Sequence, residues 1–171
     1  MKRIFVLLLV TAMMLSCGEK MSVKDVEELE SKVLAKDAKP TKDNVIQLVD
    51  AYVLFAEQNP NDVQSPDFLF KALDIAVGVN AEGPEKAIEI ADVLIEKYPD
   101  FEMTPMAMFI KGFVYENKLG DLQNAEMTYR QFIEKYPDNP MVGDVKSTLE
   151  NLGLSPEELI RKFESKNEAA E

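Results

Sequence analysis

The sequence predicts an all-α protein, a solenoid of helical hairpins with about eight helices in 171 residues. Composition is the first reason: Ala, Leu, Glu and Lys are abundant, whereas Gly numbers 7 and Trp is absent, a balance that suits helix along the whole length. Punctuation is the second, since Pro and Gly recur at intervals that leave room for helices of about four turns. The third is an internal echo: Ile95-Glu96-Lys97-Tyr98-Pro99-Asp100 returns as Ile133-Glu134-Lys135-Tyr136-Pro137-Asp138. With 46% apolar residues the chain can bury one compact core or a short array of repeats.

The amino terminus reads as an address. Met1-Lys2-Arg3 is basic, and Ile4 to Leu15 is an apolar run of twelve residues whose one polar member is Thr11. A spanning helix needs about 20 residues, whereas the apolar part of an export signal has about 7–15. Residues 1–16 are therefore expected to be a signal peptide; an uncleaved anchor beside an incidental thiol is the alternative. The run closes on Met14-Leu15-Ser16-Cys17-Gly18, which resembles the lipobox of bacterial lipoproteins, where a small residue precedes a Cys that becomes the lipidated first residue. The resemblance implies that Cys17 carries the diacylglyceryl and palmitate anchor and that 17–21 form a short linker. Because Gly18 rather than Asp follows Cys17, it also implies an outer-membrane location facing the periplasm. Cys17 is the single cysteine, so no internal disulfide can form. Without residues 1–16 the chain has 17 basic residues against 31 acidic ones, a charge of -14, so anionic lipid would not hold it by charge. A covalent anchor with two or more acyl chains would.

The helices follow in order. Ser22-Val23-Lys24-Asp25 is a capping box that opens a helix over 22–36, with Val23, Val26, Leu29 and Val33 near a 3.6-residue period. A second helix is expected over 41–58, with Val45, Ile46, Val49, Tyr52, Val53, Phe55 and Ala56 on its apolar face. Ser65-Pro66, Thr104-Pro105, Asn139-Pro140 and Ser155-Pro156 each place a capping side chain before a Pro at the first helical position, and Gly83-Pro84 is a weaker version. Gly78, Gly120 and Gly153 are expected to end helices in the left-handed conformation. The resulting helices are 65–78, 84–97, 105–118, 121–135, 140–151 and 156–167, the last with Leu159, Ile160 and Phe163, and 168–171 form a disordered tail.

Pro99 and Pro137 lie 38 residues apart, and a degraded copy of the motif, Ala56-Glu57-Gln58-Asn59-Pro60-Asn61, lies 39 residues before. Two helices per period of this length are the mark of a helical solenoid. The chain resembles the tetratricopeptide repeat family: Gly112, Tyr115, Ala125, Tyr129 and Pro137 occupy the motif positions of one copy, and Ala72, Ile75, Ala87, Ala91 and Pro99 those of the copy before. It departs from the family in having Met108 where a large aromatic is usual. The resemblance implies repeats over about 41–62, 65–101 and 104–139 within a domain of 22–167, flanked by capping helices. Small residues at Gly112, Ala72, Ala87 and Ala125 would let paired helices approach closely.

Function follows from what the composition leaves. A charge of -12 repels nucleic acid, and the absence of His removes imidazole catalysis and His-based zinc sites. Asp100, Asp138 and Asn139 are oxygen ligands on turns, but no calcium-loop spacing surrounds them, so no metal or cofactor is expected. The resemblance implies that a partner protein or peptide segment binds the concave face made by the first helix of each pair. Here that face holds Leu69, Phe70 and Leu73 in one repeat and Met106, Phe109, Ile110 and Phe113 in the next. The same stripe at helical spacing also describes core residues beneath capping helices, and an exposed apolar face would equally suit self-association. The expected function is a lipid-anchored, non-enzymatic scaffold of the bacterial cell envelope, similar in repeat type to lipoproteins of outer-membrane assembly and cell-division coordination. The competing class is a tethered hydrolase or carbohydrate-acting accessory using carboxylates such as Glu85 with Glu89 or Glu157 with Glu158.

Overall fold

The computed structural model describes residues 20–79 and 83–168. The expected signal segment, Cys17 and the end of the expected tail lie outside the described residues. The helices are α1 (Val23–Val33), α2 (Lys42–Gln58), α3 (Ser65–Val79), α4 (Pro84–Lys97), α5 (Thr104–Val114), α6 (Leu122–Lys135), α7 (Val142–Glu150) and α8 (Pro156–Glu168), and a π-helical turn, Tyr115–Leu119, prolongs α5. Each helix from α1 to α6 packs on the next in the chain, and α3 also meets α5. This neighbour-on-neighbour stacking is an all-α helical-hairpin solenoid.

Local chemistry fixes most helix starts. Ser22 Oγ accepts from Asp25 N–H while the Asp25 carboxylate accepts from Ser22 N–H, and Thr41 with Asn44 repeats that reciprocal cap on α2. Ser155 and Glu158 do the same for α8, and Asp121 caps α6 through Asn124 N–H. Gly120 (φ 66°) and Gly153 (φ 75°) take the left-handed conformation as expected. Gly78 does not: α3 runs through it to Val79. Three of the expected Pro-preceding caps also differ. Ser65 and Thr104 sit inside their helices, fully buried, and donate to Asn59 O and Tyr98 O, both at 2.6 Å. The hydroxyls point inward as second donors to the turn carbonyls, beside the N–H groups of Asp62 and Phe101. Asn139 lies two residues before Met141, the observed cap of α7, and accepts from its N–H at 2.9 Å.

The repeat is visible in the backbone. Asn59, Tyr98 and Tyr136 end α2, α4 and α6 with φ of -129°, -129° and -126° and ψ of 55°, 54° and 56°. Each donates its N–H to the carbonyl four residues back and is followed by Pro60, Pro99 or Pro137. In each turn the residue three positions on then donates to the cap carbonyl, and three further on the next N–H donates again. The weak copy at 56–61 therefore forms the same turn as the two strong ones.

Two apolar clusters hold the stack. The larger spans α1 to α5, with Val26, Tyr52, Phe55, Phe68, Leu73 and Leu94 buried, and Phe68 stacks on Tyr52 at 5.5 Å and meets Phe55 edge-on at 4.9 Å. The smaller joins α5, α6 and α7 through Met108, Ala125, Tyr129, Phe132 and Val145. Met108, standing where an aromatic was expected, is buried in it. At the carboxyl end α7 buries Val145 alone, and on α8 Ile160 is exposed. Lys162 Nζ ties α8 back by donating to Glu150 O and Asn151 Oδ1.

Candidate partner-binding surface

Gly112 governs how α5 meets α6. A Cβ built there would lie at or inside 3.0 Å of three ring atoms of Tyr129, so only hydrogen fits at this crossing. The Tyr129 ring is fully buried and packs on Phe109 at 5.8 Å, and its hydroxyl donates to Glu116 Oε2 at 2.9 Å. Burial, then the bond to the Glu116 carboxylate, push the Tyr129 phenol well above the usual tyrosine range. Ala72, Ala87, Ala91 and Ala125 are buried as the close-packing positions of the motif.

The seven residues expected on the binding face separate into two groups. Leu69 and Leu73 are fully buried in the larger core, because α3 turns them toward α2 and α4; they are packing residues and offer no surface to a partner. Phe70 is half-buried, its ring edge-on to Phe101 at 6.5 Å. Phe109 and Ile110 are half-buried against the smaller and larger cores respectively. Met106 is half-buried and Phe113 is 38% exposed. On α5 these four lie at i, i+3, i+4 and i+7, one stripe along a single helix face. Beside the stripe Lys111 pairs with Asp92 of α4, and its ammonium lies 5.9 Å from the Tyr115 ring centroid. Lys71 on α3 pairs with Glu30 of α1 at 2.8 Å, and Lys86 on α4 with Asp50 of α2 at 3.8 Å. Such exposed pairs contribute at most about 1 kcal/mol each.

One feature was outside the reach of the sequence. Between α2 and α4 a cavity of about 130 Å³ has Val53, Leu69, Ile90 and Val93 in its walls and Lys86, Lys97, Glu57 and Glu89 around it. It forms only once two helices separated in the chain are set side by side, and no local motif encodes that register.

Glu85, Glu89, Glu157 and Glu158 are all exposed. Asp25, Asp121 and Glu158 are the acids whose pKa is displaced, each downward through hydrogen bonds from its cap partner, opposite to what a general acid requires. Among the described residues no three acidic or thiol side chains converge on a point that could hold a metal, and no helix is long and apolar enough to cross a membrane.

Residues 106–139, from Met106 in α5 through the π-helical turn and α6 to the turn after it, match the tetratricopeptide repeat family model. No curated protein and no solved structure matches the chain. The chain thus carries a tetratricopeptide repeat within a helical-hairpin solenoid, and the match covers all four α5 residues of the stripe.

Proposed function

We propose that this protein is a lipoprotein of the bacterial cell envelope, anchored through Cys17 in the outer membrane and facing the periplasm, whose repeats hold a segment of another envelope protein. The observation that carries the scaffold part is the tetratricopeptide repeat at 106–139, whose first helix leaves Phe113 exposed beside the half-buried Met106, Phe109 and Ile110. An apolar stripe on a rigid helix, flanked by Lys111 and Glu116, fits the apolar face of an extended or helical peptide. The anchor part rests on the basic start, the twelve-residue apolar run and the Ser16-Cys17-Gly18 junction.

The test is a cross-linked pull-down from native membranes with three forms: the natural chain, Cys17→Ala and Phe113→Glu. One stoichiometric envelope protein recovered with the natural chain and lost with Phe113→Glu, at unchanged melting temperature, supports the scaffold. Recovery of the chain alone, or of a partner indifferent to Phe113→Glu, overturns the assigned face. Intact mass of the membrane-extracted protein reads the acyl group on Cys17.

A further inference from the structure

The chain enters the folded domain under restraint. Met21 N–H donates to Gln58 Oε1 at 2.7 Å, Asn59 Nδ2 donates to Met21 O at 3.1 Å, and Lys20 Nζ donates to Gln58 O at 3.1 Å. The Met21 side chain is half-buried and packs on the larger core. These bonds fasten residues 20 and 21 to the end of α2, where the first repeat turn begins. Cys17 stands three residues before Lys20, and three residues reach at most about 10 Å even when fully extended.

We infer that the bilayer surface beneath the anchor is in contact with one defined edge of the solenoid, the first repeat turn over residues 59–64. The inference rests on the proposed lipidation of Cys17. With an acyl-bearing residue no more than about 10 Å from a fixed point of the fold, that turn is held close to the headgroup layer. Val63, in this turn, is 85% exposed, an aliphatic side chain with no protein neighbour to cover it. Leu119, at the other end of α5, is on the opposite edge of the stack, because α5 starts at the edge where α4 ends. A mature chain of 17 basic and 31 acidic residues has no net attraction for an anionic surface that could turn another face down.

The experiment uses the full acylated protein in vesicles of phosphatidylethanolamine and phosphatidylglycerol containing a headgroup-nitroxide lipid. A thiol-reactive fluorophore is placed by Val63→Cys or by Leu119→Cys, Cys17 being blocked by its own modification. The expected result is at least threefold stronger quenching at position 63 than at 119. Ten Gly/Ser residues inserted between Gly18 and Glu19, about 17 Å of added reach, should abolish the difference. Equal quenching at both positions, or a difference that survives the insertion, in protein that is acylated and floats with the vesicles overturns the orientation and leaves the anchor reading standing. A chain with unmodified Cys17 overturns both.

Discussion

Replacing Gly112 with Ala tests the tightest contact in the solenoid. Gly112 is in helix without a positive φ, so the substitution strains no backbone and gains about 1 kcal/mol of helix propensity. Against this, the new Cβ would overlap three ring atoms of Tyr129, all at or inside 3.0 Å. The ring cannot step aside: it is fully buried, Phe109 packs on it, and Glu116 holds its hydroxyl. Overpacking of this kind costs up to about 3 kcal/mol, and the severity of the overlap puts Gly112→Ala at that end. The net loss is about 2 kcal/mol, read as a melting temperature lower by about 4–8 °C. Gly78→Ala is the matched control, because it too is helical but a Cβ there meets nothing within 4 Å. It should gain about 0.5 kcal/mol, or 1–2 °C. Thermal unfolding followed by circular dichroism separates the two, and Tyr129→Leu combined with Gly112→Ala should lose less than the two changes apart. A Gly112→Ala protein that melts at or above the natural chain refutes the close approach of α5 and α6.

Thr104→Val removes the 2.6 Å donor to the Tyr98 carbonyl, which keeps the Phe101 N–H at 3.1 Å, and should lower the urea midpoint by the equivalent of about 1 kcal/mol, whereas Thr104→Ser keeps most of it. High pH should destabilise the protein. The Tyr52 phenol is raised by burial and the nearby Glu30 carboxylate, and Tyr129 by burial and Glu116, so above the ordinary pKa of 10.0 the folded state keeps protons that the unfolded chain releases. Stability is then flat with respect to these groups below pH 10.0 and falls above it, with a shallower fall in Tyr129→Phe, as urea midpoints from pH 8 to 11 would record. Low pH acts on the caps. The carboxyls of Asp25, Asp121 and Glu158 are held below their ordinary values of 3.8, 3.8 and 4.5, so their contribution is complete above those values and is lost as pH falls through the lower folded ones. Amide exchange at the first turns of α1, α6 and α8 should rise with acid, and Glu158→Gln should remove the pH dependence at α8 alone.

Helix starts and stops were legible wherever the information is local. Thr41, Gly83 and Gly120 mark their boundaries within a residue because a cap acts through one or two hydrogen bonds of its own segment. Ser65 and Thr104 were misread for the complementary reason. In isolation a hydroxyl before Pro is a cap, but here the stacking of successive repeats buries Ser65 and Thr104, and the carbonyls of Asn59 and Tyr98 claim their hydroxyls. Gly78 looked like a stop, yet α3 continues through it and remains packed on α2 and α4. The candidate face was half legible. Met106, Phe109, Ile110 and Phe113 do share one side of α5, but periodicity alone does not distinguish an apolar stripe facing solvent from one facing the stack. Leu69 and Leu73 belong to the second kind, and Leu73→Ala would cost about 2–5 kcal/mol of stability without reporting on a partner.

The three repeat turns show which features of this chain the fold demands and which it leaves free. Their backbone angles agree to within a few degrees although the cap residue is Asn in one and Tyr in two. The inward hydroxyl is Ser65, then Thr104, then absent, since Val142 holds the third position. Only the Pro and the pattern of backbone hydrogen bonds persist through all three turns. The turn is therefore a property of the backbone and its proline, which explains how the motif at 56–61 could lose most of its side chains and keep its shape. Gly112 is the counterpart on the helices, fixed by contact with Tyr129. Phe113, one residue away, meets no such requirement: it is 38% exposed and belongs to neither apolar cluster. Adjacent positions on one helix thus answer to different constraints, and a substitution at 113 that alters binding while leaving the melting temperature untouched can be attributed to the surface and not to the stack.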